Sequence, residues 1–152
     1  MKIVYCMGDC SQGGGTERTI SIQASYFAEH GHEVHIITEE IPEYKKNMYY
    51  FSDKIQIHNL DIGYRKVDNS ISPLKIWERI KKGRKHKRRL EQLLCRLRPD
   101  FTISVFGHDT SFLYGINDGS RKVLQYHFSR YSRSIEFKYN GVSVFKKWFG
   151  LI

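Results

Sequence analysis

The chain has 152 residues, 40% of them hydrophobic and 14% aromatic, with a formal net charge of +9. This length and composition indicate one folded domain and exclude an intrinsically disordered chain. No apolar run reaches the length that a membrane-spanning helix needs.

The first forty residues predict a βαβ unit. Residues 2–7 form a short β-type run typical of a buried strand, and residues 33–38 (EVHIIT) are predicted to form a second strand. Between them an apolar stripe predicts a helix that is capped by Thr16 or Gly15 and runs to about His30, with Gly31 as its C-terminal cap. The two strands are expected to be parallel, with a right-handed crossover.

The rest of the chain continues this alternation. Residues 39–54 are polar and aromatic and indicate a loop. Further strands are predicted at residues 55–60, 101–106 and 121–126, a long helix at 74–98, a short helix at 110–114 and a helical tail at 131–152. We expect a single Rossmann-like α/β domain over residues 1–152, with a doubly wound, mostly parallel sheet in three layers.

The predicted order of elements places three segments at one edge of this sheet. Ligands of doubly wound domains bind at the carboxyl ends of the strands. The loop Gly13 to Gly15 follows the first strand, residues 107–110 follow the fourth, and residues 127–130 follow the fifth. The sequence therefore predicts a ligand site where these segments meet.

The three consecutive glycines allow two interpretations. Their spacing matches neither a P-loop nor a dinucleotide fingerprint. Exposed N–H groups at a helix N-terminus favour an anion or a sugar hydroxyl. The alternative is a tight turn that requires positive φ at these glycines.

Several stretches resemble glycosyltransferase family 4, a group of retaining enzymes with the GT-B fold. The sequences GGTER at 14–18 and GHEV at 31–34 match the opening pattern of that family. The stretches IQIHNLDIGYRK, LRPDFTISVFG and VLQYHFSR fall where the family has its third, fourth and fifth strands. The resemblance covers about residues 1–130.

The resemblance implies that this chain is the N-terminal, acceptor-binding half of such an enzyme. The donor would be a nucleotide-sugar and the acceptor a lipid-linked or polysaccharide glycan of the cell envelope, with no cofactor and no catalytic metal. Gly13, Gly14 and Gly15 would approach the donor phosphates and the acceptor. His127 would contact the transferred sugar or the acceptor, although the family's Glu-His-Asn context is replaced here by Tyr126-His127-Phe128.

The chain departs from the family in length. Nothing in it resembles the second Rossmann-like domain, which holds the donor nucleotide in that family. We expect a fragment that transfers no sugar by itself, and a stand-alone Rossmann-like binding module is the alternative. His127 has the alternative role of a hydrogen-bonded histidine at a strand end.

Two further residues have competing interpretations. Asp109 binds acceptor hydroxyls or caps the short helix that follows it, and the cap is favoured on sequence. Arg130 meets a phosphate or is solvated.

Residues 75–98 contain eleven lysines and arginines and only two acids, so this segment accounts for the whole net charge of +9. We expect Ile76, Ile80, Leu90, Leu94 and Leu97 to face the core. The basic side chains form a solvated outer face or bind an anionic membrane surface, and nucleic acid is the least favoured partner. The membrane interpretation places the protein on the inner face of the cytoplasmic membrane through Lys81, Lys82, Arg84, Lys85, Arg88 and Arg89.

Three cysteines, Cys6, Cys10 and Cys95, lack the spacing of metal ligands. They indicate reduced thiols of a cytoplasmic protein and no metal site.

Overall fold

The computed structural model describes residues 1–11, 13–41, 49–64 and 73–127. The predicted tail at 131–152, and Arg130 with it, lie outside the described residues. In chain order the elements are β1 (Lys2–Met7), α1 (Gly15–Glu29), β2 (Glu33–Thr38), β3 (Gln56–Asn59), α2 (Pro73–Leu97), β4 (Phe101–Ser104) and β5 (Arg121–Leu124), with short 3₁₀ segments at His108–Ser111 and Leu113–Gly115.

The five strands form one sheet in the order β3-β2-β1-β4-β5, and every neighbouring pair is parallel. This order is that of a Rossmann-like α/β fold and confirms the predicted fold class. The chain winds outward from β1 in both directions, so the topological switch point lies between β1 and β4.

A helix covers each face of the sheet, which explains why β1 is apolar at successive positions. Ile3, Tyr5 and Met7 of β1 pack with Ile20 and Ala24 of α1. The alternate residues of β1 face the other helix in a second core cluster with Leu90 and Leu94. Both faces of the strand are therefore buried, as the continuous apolar run predicts.

The end of α1 confirms the predicted role of Gly31. Its φ is +83°, in the left-handed region that glycine tolerates without strain. The next residue, His32, donates its N–H to the carbonyl oxygen of Phe27 at 3.1 Å. This bond pattern belongs to the Schellman motif that ends many helices.

The beginning of α2 differs from the prediction. Leu90 and Leu94 are fully buried, but Ile76 and Ile80 are 48% and 45% exposed. Leu74 and Trp77 are also exposed. The expectation that Ile76 and Ile80 face the core is therefore wrong, because the first two turns of α2 lie outside both core clusters.

The segment after β4 also differs from the prediction. The strand ends at Ser104 rather than at residue 106, since Phe106 has a φ of +60° and turns the chain away from the sheet. The predicted short helix is two 3₁₀ segments instead. Among the described residues, no helix is long and apolar enough to cross a membrane.

Candidate functional site

The segments that follow β1, β2, β4 and β5 all leave the sheet at its carboxyl edge. Backbone hydrogen bonds continue past the strands: Val105 N–H donates to the carbonyl of Cys6, and Gln125 N–H donates to that of Ser104, both at 2.9 Å. Glu39 N–H donates to the carbonyl of Gly8 at 3.1 Å. The carboxyl edge of the sheet therefore brings these loops together at the switch point.

The glycine loop does not need left-handed backbone at the start of α1. Gly14 is the N-cap residue, with φ −85° and ψ 166°, and Gly15 is the first residue of the helix. The interpretation as a positive-φ turn is thus wrong for Gly14 and Gly15. A Cβ at Gly14 would collide with the carboxylate of Glu17, whereas one at Gly15 would meet nothing within 4 Å. The loop is also anchored by Tyr49, whose hydroxyl donates to the carbonyl of Gly13 at 3.1 Å.

Glu39 and His108 form an ion pair at this edge. Glu39 follows β2 and is 6% exposed, and its Oε1 accepts the backbone N–H of His108 at 2.9 Å. Its Oε2 lies 2.7 Å from Nδ1 of His108, whose side chain is 60% exposed. Burial opposes the charge on Glu39, but the bonds to His108 outweigh it and leave the pKa of Glu39 below its usual value. The same bonds raise the pKa of His108, which favours an imidazolium at the edge of the sheet.

Aromatic groups behind His108 fix the plane of its ring. Tyr64 stacks on the imidazole with ring centres 4.0 Å apart and planes 15° apart. The Tyr64 hydroxyl lies 3.3 Å from Nδ1 of His86. His86 is 2% exposed, and burial lowers its pKa to about 4, so that it is neutral at pH 7. The His108 imidazole is therefore held in one orientation by Glu39 and by the ring of Tyr64, and the neutral His86 lies next to Tyr64.

Asp109 lies beside this pair and is 1% exposed. Burial raises its pKa to about 6, and its Oδ2 has no hydrogen-bond partner within the described residues. The predicted cap is wrong, because the 3₁₀ segment begins at His108 with Gly107 as its N-cap, and no side chain accepts a capping hydrogen bond there. A Cβ at Gly107 would lie 2.6 Å from Oδ1 of Asp109 and 3.0 Å from Oε1 of Glu39, so a side chain at this position would force the Asp109 carboxylate to move.

His127 follows β5 and lies at the last described position. Its Nε2 is buried and has no hydrogen-bond partner among the described residues. The alternative of a hydrogen-bonded histidine at a strand end is therefore not seen in the part of the chain that the structure describes. Among the described residues this buried nitrogen therefore lacks the hydrogen-bond partner that buried polar groups usually have.

The fold is also found in the solved structure of the lipopolysaccharide outer core galactosyltransferase WaaB in its apo form. The two chains are 20% identical, with a TM-score of 0.52. The likeness covers 85% of this chain and 34% of WaaB, so this chain spans about a third of the length of its structural neighbour. No family model matches the chain, and no curated protein matches it. This likeness shows the Rossmann-like fold, and membership of family 4 stays a prediction.

The sequence did not identify Glu39 and His108 as a pair. They are 69 residues apart, and neither belongs to a recognised motif. Their position directly after β2 and β4 was the available signal, because polar residues at the carboxyl ends of parallel strands are candidates for ligand contact.

The six basic residues that were predicted to meet a membrane divide into two groups. Lys82, Lys85 and Arg89 donate hydrogen bonds to backbone carbonyls of residues 60–63 after β3. They hold this loop against α2. Lys81, Arg84 and Arg88 are exposed and lie on another face of the helix, in line with Leu74 and Trp77 at spacings of three and four residues.

A groove of about 440 Å³ lies between α1 and residues 49–50. It is lined by Arg18, Ser21, Ile22, Ser25, Tyr26, Glu29, Tyr49 and Tyr50. None of the predicted site residues lines it.

Proposed function

We propose that this chain is the acceptor-side domain of a retaining GT-B glycosyltransferase. The observation that supports this function best is that the Glu39–His108 pair and Asp109 lie at the switch point of a sheet whose fold is shared with a galactosyltransferase, on the same carboxyl edge as the glycine loop and His127. Within the described residues this edge holds an imidazole whose pKa is raised, a carboxyl group whose pKa is raised to about 6 and an imidazole nitrogen without a hydrogen-bond partner, which suit phosphates and sugar hydroxyls.

The residues have distinct roles in this proposal. The imidazolium of His108 and the N-terminus of α1 behind Gly13, Gly14 and Gly15 attract the diphosphate of a nucleotide-sugar. Asp109 accepts a hydrogen bond from an acceptor hydroxyl, and His127 binds a hydroxyl of the sugar. Arg130 is proposed to reach a phosphate. In the transfer step, the bond from the anomeric carbon to the diphosphate oxygen breaks and the oxygen of the acceptor hydroxyl bonds to that carbon. The proton of that hydroxyl passes to the phosphate oxygen that is released, and the nucleoside diphosphate leaves.

A second domain completes the cleft in this proposal. The chain spans 34% of WaaB, and the resemblance to family 4 places the nucleotide site in a separate Rossmann-like domain. The acceptor is proposed to be a lipid-linked or polysaccharide glycan of the cell envelope. The protein would then act at the inner face of the cytoplasmic membrane.

The complete product of the gene tests this function directly. We expect it to transfer labelled sugar from one of a panel of UDP-sugars and GDP-sugars to a glycolipid in host membranes, and residues 1–152 alone to transfer none. Product analysis should show the anomeric configuration of the donor retained. A gene that stops after Ile152, together with no transfer from any donor, would contradict the proposal and favour a stand-alone binding module.

The exposed stripe of α2 supports a second proposal, contact with an anionic membrane. The stripe consists of Leu74, Trp77, Lys81, Arg84 and Arg88, and Leu74 and Trp77 are 78% and 61% exposed. Apolar side chains at one end and cations along the same face suit an interfacial helix, in which the apolar groups enter the headgroup region and the cations meet anionic lipids.

Reversal of Lys81, Arg84 and Arg88 to glutamate should weaken binding to phosphatidylglycerol vesicles at least about 100-fold, since each cation near such a surface contributes about 1 kcal/mol. Vesicle sedimentation at low salt measures the effect. The control reverses Lys54, Arg96 and Arg121 to glutamate. These residues are exposed outside the stripe, and their reversal changes the net charge by the same amount. Equal losses in both variants would show a nonspecific charge effect and reject the stripe.

A further inference from the structure

Two histidines connect β2 to β3, the strand at one end of the sheet. Nδ1 of His35 lies 3.1 Å from Nε2 of His58, and the ring centres are 5.2 Å apart. Nε2 of His35 lies 3.0 Å from Oε1 of Glu33, which also pairs with Lys2 at 3.1 Å. His35 is 1% exposed and His58 is half-buried. Glu33, His35 and His58, here called the histidine bridge, thus form one chain of hydrogen bonds from β2 to β3.

The bridge can hold only a limited number of protons. The carboxylate of Glu33 accepts hydrogen bonds and donates none, so Nε2 of His35 carries a hydrogen. In neutral His35 the other ring nitrogen, Nδ1, is then an acceptor, and Nε2 of His58 donates to it. One added proton still leaves a single hydrogen between the two rings, whichever ring is the imidazolium. A second added proton places two N–H groups face to face at 3.1 Å, and the bond between the rings is lost.

Charged groups of β1, β2 and α2 act on the bridge. Hydrogen bonds from His35 and Lys2 lower the pKa of Glu33, so this carboxylate is ionised above pH 5. Burial lowers the pKa of His58 below its ordinary value of 6.5, and the charges of His35 and Arg96 lower it further. Glu33 therefore balances one imidazolium, whereas Arg96 disfavours a second one.

Strand β3 connects the bridge to the candidate site. β3 is paired with β2 and leads into backbone pairing beyond the strand ends. The N–H of Leu60 donates to the carbonyl of Thr38, and the N–H of Ile62 donates to that of Glu39, both at 2.9 Å. The pairing that the bridge supports therefore reaches the backbone of Glu39, whose carboxylate holds His108.

We propose that the histidine bridge is a pH-sensitive switch, which holds β3 to β2 near neutral pH and opens when both imidazoles are protonated. Opening loosens β3 and the pairing that follows it as far as Ile62. The switch acts on the fold itself and does not depend on which reaction the protein performs.

The sign of the effect follows from linkage. Below pH 6.5 the unfolded state binds more protons at His58 than the folded state does, because folding lowers the pKa of this residue. The stability that the bridge supplies is therefore present above pH 6.5 and is lost as the pH falls below it.

Amide hydrogen exchange on the 152-residue chain at pH 7.5 and pH 5.5 tests the proposal, with rates corrected for the pH dependence of the chemical step. Relative to β1, the protection of amides 56–60 should fall about tenfold at the lower pH, which corresponds to about 1.4 kcal/mol, the size of one hydrogen bond. His58→Gln should show no such fall, because the glutamine amide donates to His35 and does not titrate.

His30→Gln is the matched control. His30 is an exposed histidine stacked on Tyr26 at the end of α1, outside the bridge, so this variant should show the same fall as the wild type. The pKa of His86 is lowered and that of His108 is raised in the folded protein, but both residues are present in all three proteins and affect them alike.

A second measurement needs no variant. Nuclear Overhauser contacts between the rings of His35 and His58 should be present at pH 7.5 and lost at pH 5.5. Retention of these contacts at pH 5.5 would overturn the proposal, as would equal protection of β3 at both pH values in the wild type. A fall in protection that persists in the His58→Gln variant would also reject the bridge as its cause.

Discussion

Replacement of Asp109 by asparagine should raise the free energy of unfolding at pH 7 by about 2–3 kcal/mol. Burial raises the pKa of Asp109 from 3.8 to about 6, and each unit of pKa difference corresponds to about 1.4 kcal/mol. At pH 7 the folded protein must keep a buried carboxylate that has one oxygen without a partner among the described residues. Asparagine has nearly the same shape and carries no charge.

The sign of the pH dependence follows from linkage. Between pH 4 and pH 6 the folded state binds more protons at Asp109 than the unfolded state, so this group's contribution to stability falls as the pH rises. Below pH 4 both states are protonated and the contribution is fully present. Urea unfolding at pH 4.5 and pH 7 should therefore show the gain of the asparagine variant over the wild type growing with pH. Glu39 and His108 face the same site and their charges interact with Asp109, so the difference between the two proteins also contains the change that the substitution makes in their pKa values.

Asp118 supplies a control of opposite sign. Burial opposes its charge, but bonds from Lys122 and Ser120 outweigh this and hold the pKa of Asp118 below its usual value. Its ionised form stabilises the fold above the unfolded pKa, and that stability is lost as the pH falls. Asp118→Asn should therefore lower stability at pH 7. Equal destabilisation by both asparagine variants would show that the Asp109 carboxylate stabilises the fold, contrary to the prediction that it lowers stability at pH 7.

The sequence predicted the sheet well because burial on two faces leaves a local signal. β1 is apolar from Ile3 to Met7 and β2 is rich in valine and isoleucine, and their predicted bounds, 2–7 and 33–38, are the observed ones. The role of Gly31 as the C-terminal cap of α1 was also predictable, since a left-handed backbone at a helix end favours glycine.

The errors arose where tertiary contacts decide the outcome. Ile76 and Ile80 have helical spacing, but nothing local shows that the first turns of α2 lie outside the core clusters. The predicted cap at Asp109 had suitable residue chemistry, yet its side chain turns inward beside Glu39. Pairing of Glu39 with His108 depends on the order of strands β2, β1 and β4, which no short motif encodes.

Replacement of His108 by glutamine in the complete gene product should lower kcat/KM for sugar transfer about 100- to 1000-fold. The imidazolium is proposed to stabilise charge that develops on the departing diphosphate, and loss of one such preoriented donor costs a factor of this size. His30→Gln is the control, because His30 is also an exposed, stacked histidine but lies at the C-terminus of α1. That variant should retain wild-type transfer.

Glu39→Gln tests whether sugar transfer depends on the charge of the His108 imidazole or only on the imidazole itself. A glutamine oxygen still accepts the backbone N–H of His108, but the carboxylate that raises the imidazole pKa is gone. NMR titration should show the pKa of His108 lowered in this variant. The decline of transfer as the pH rises should move to lower pH by the same amount, because a raised histidine pKa keeps the cation present and its loss follows the folded-state value. A pKa shift without a matching shift of the activity profile would mean that the Glu39–His108 pair orders the loop after β4 and contributes no charge to the reaction.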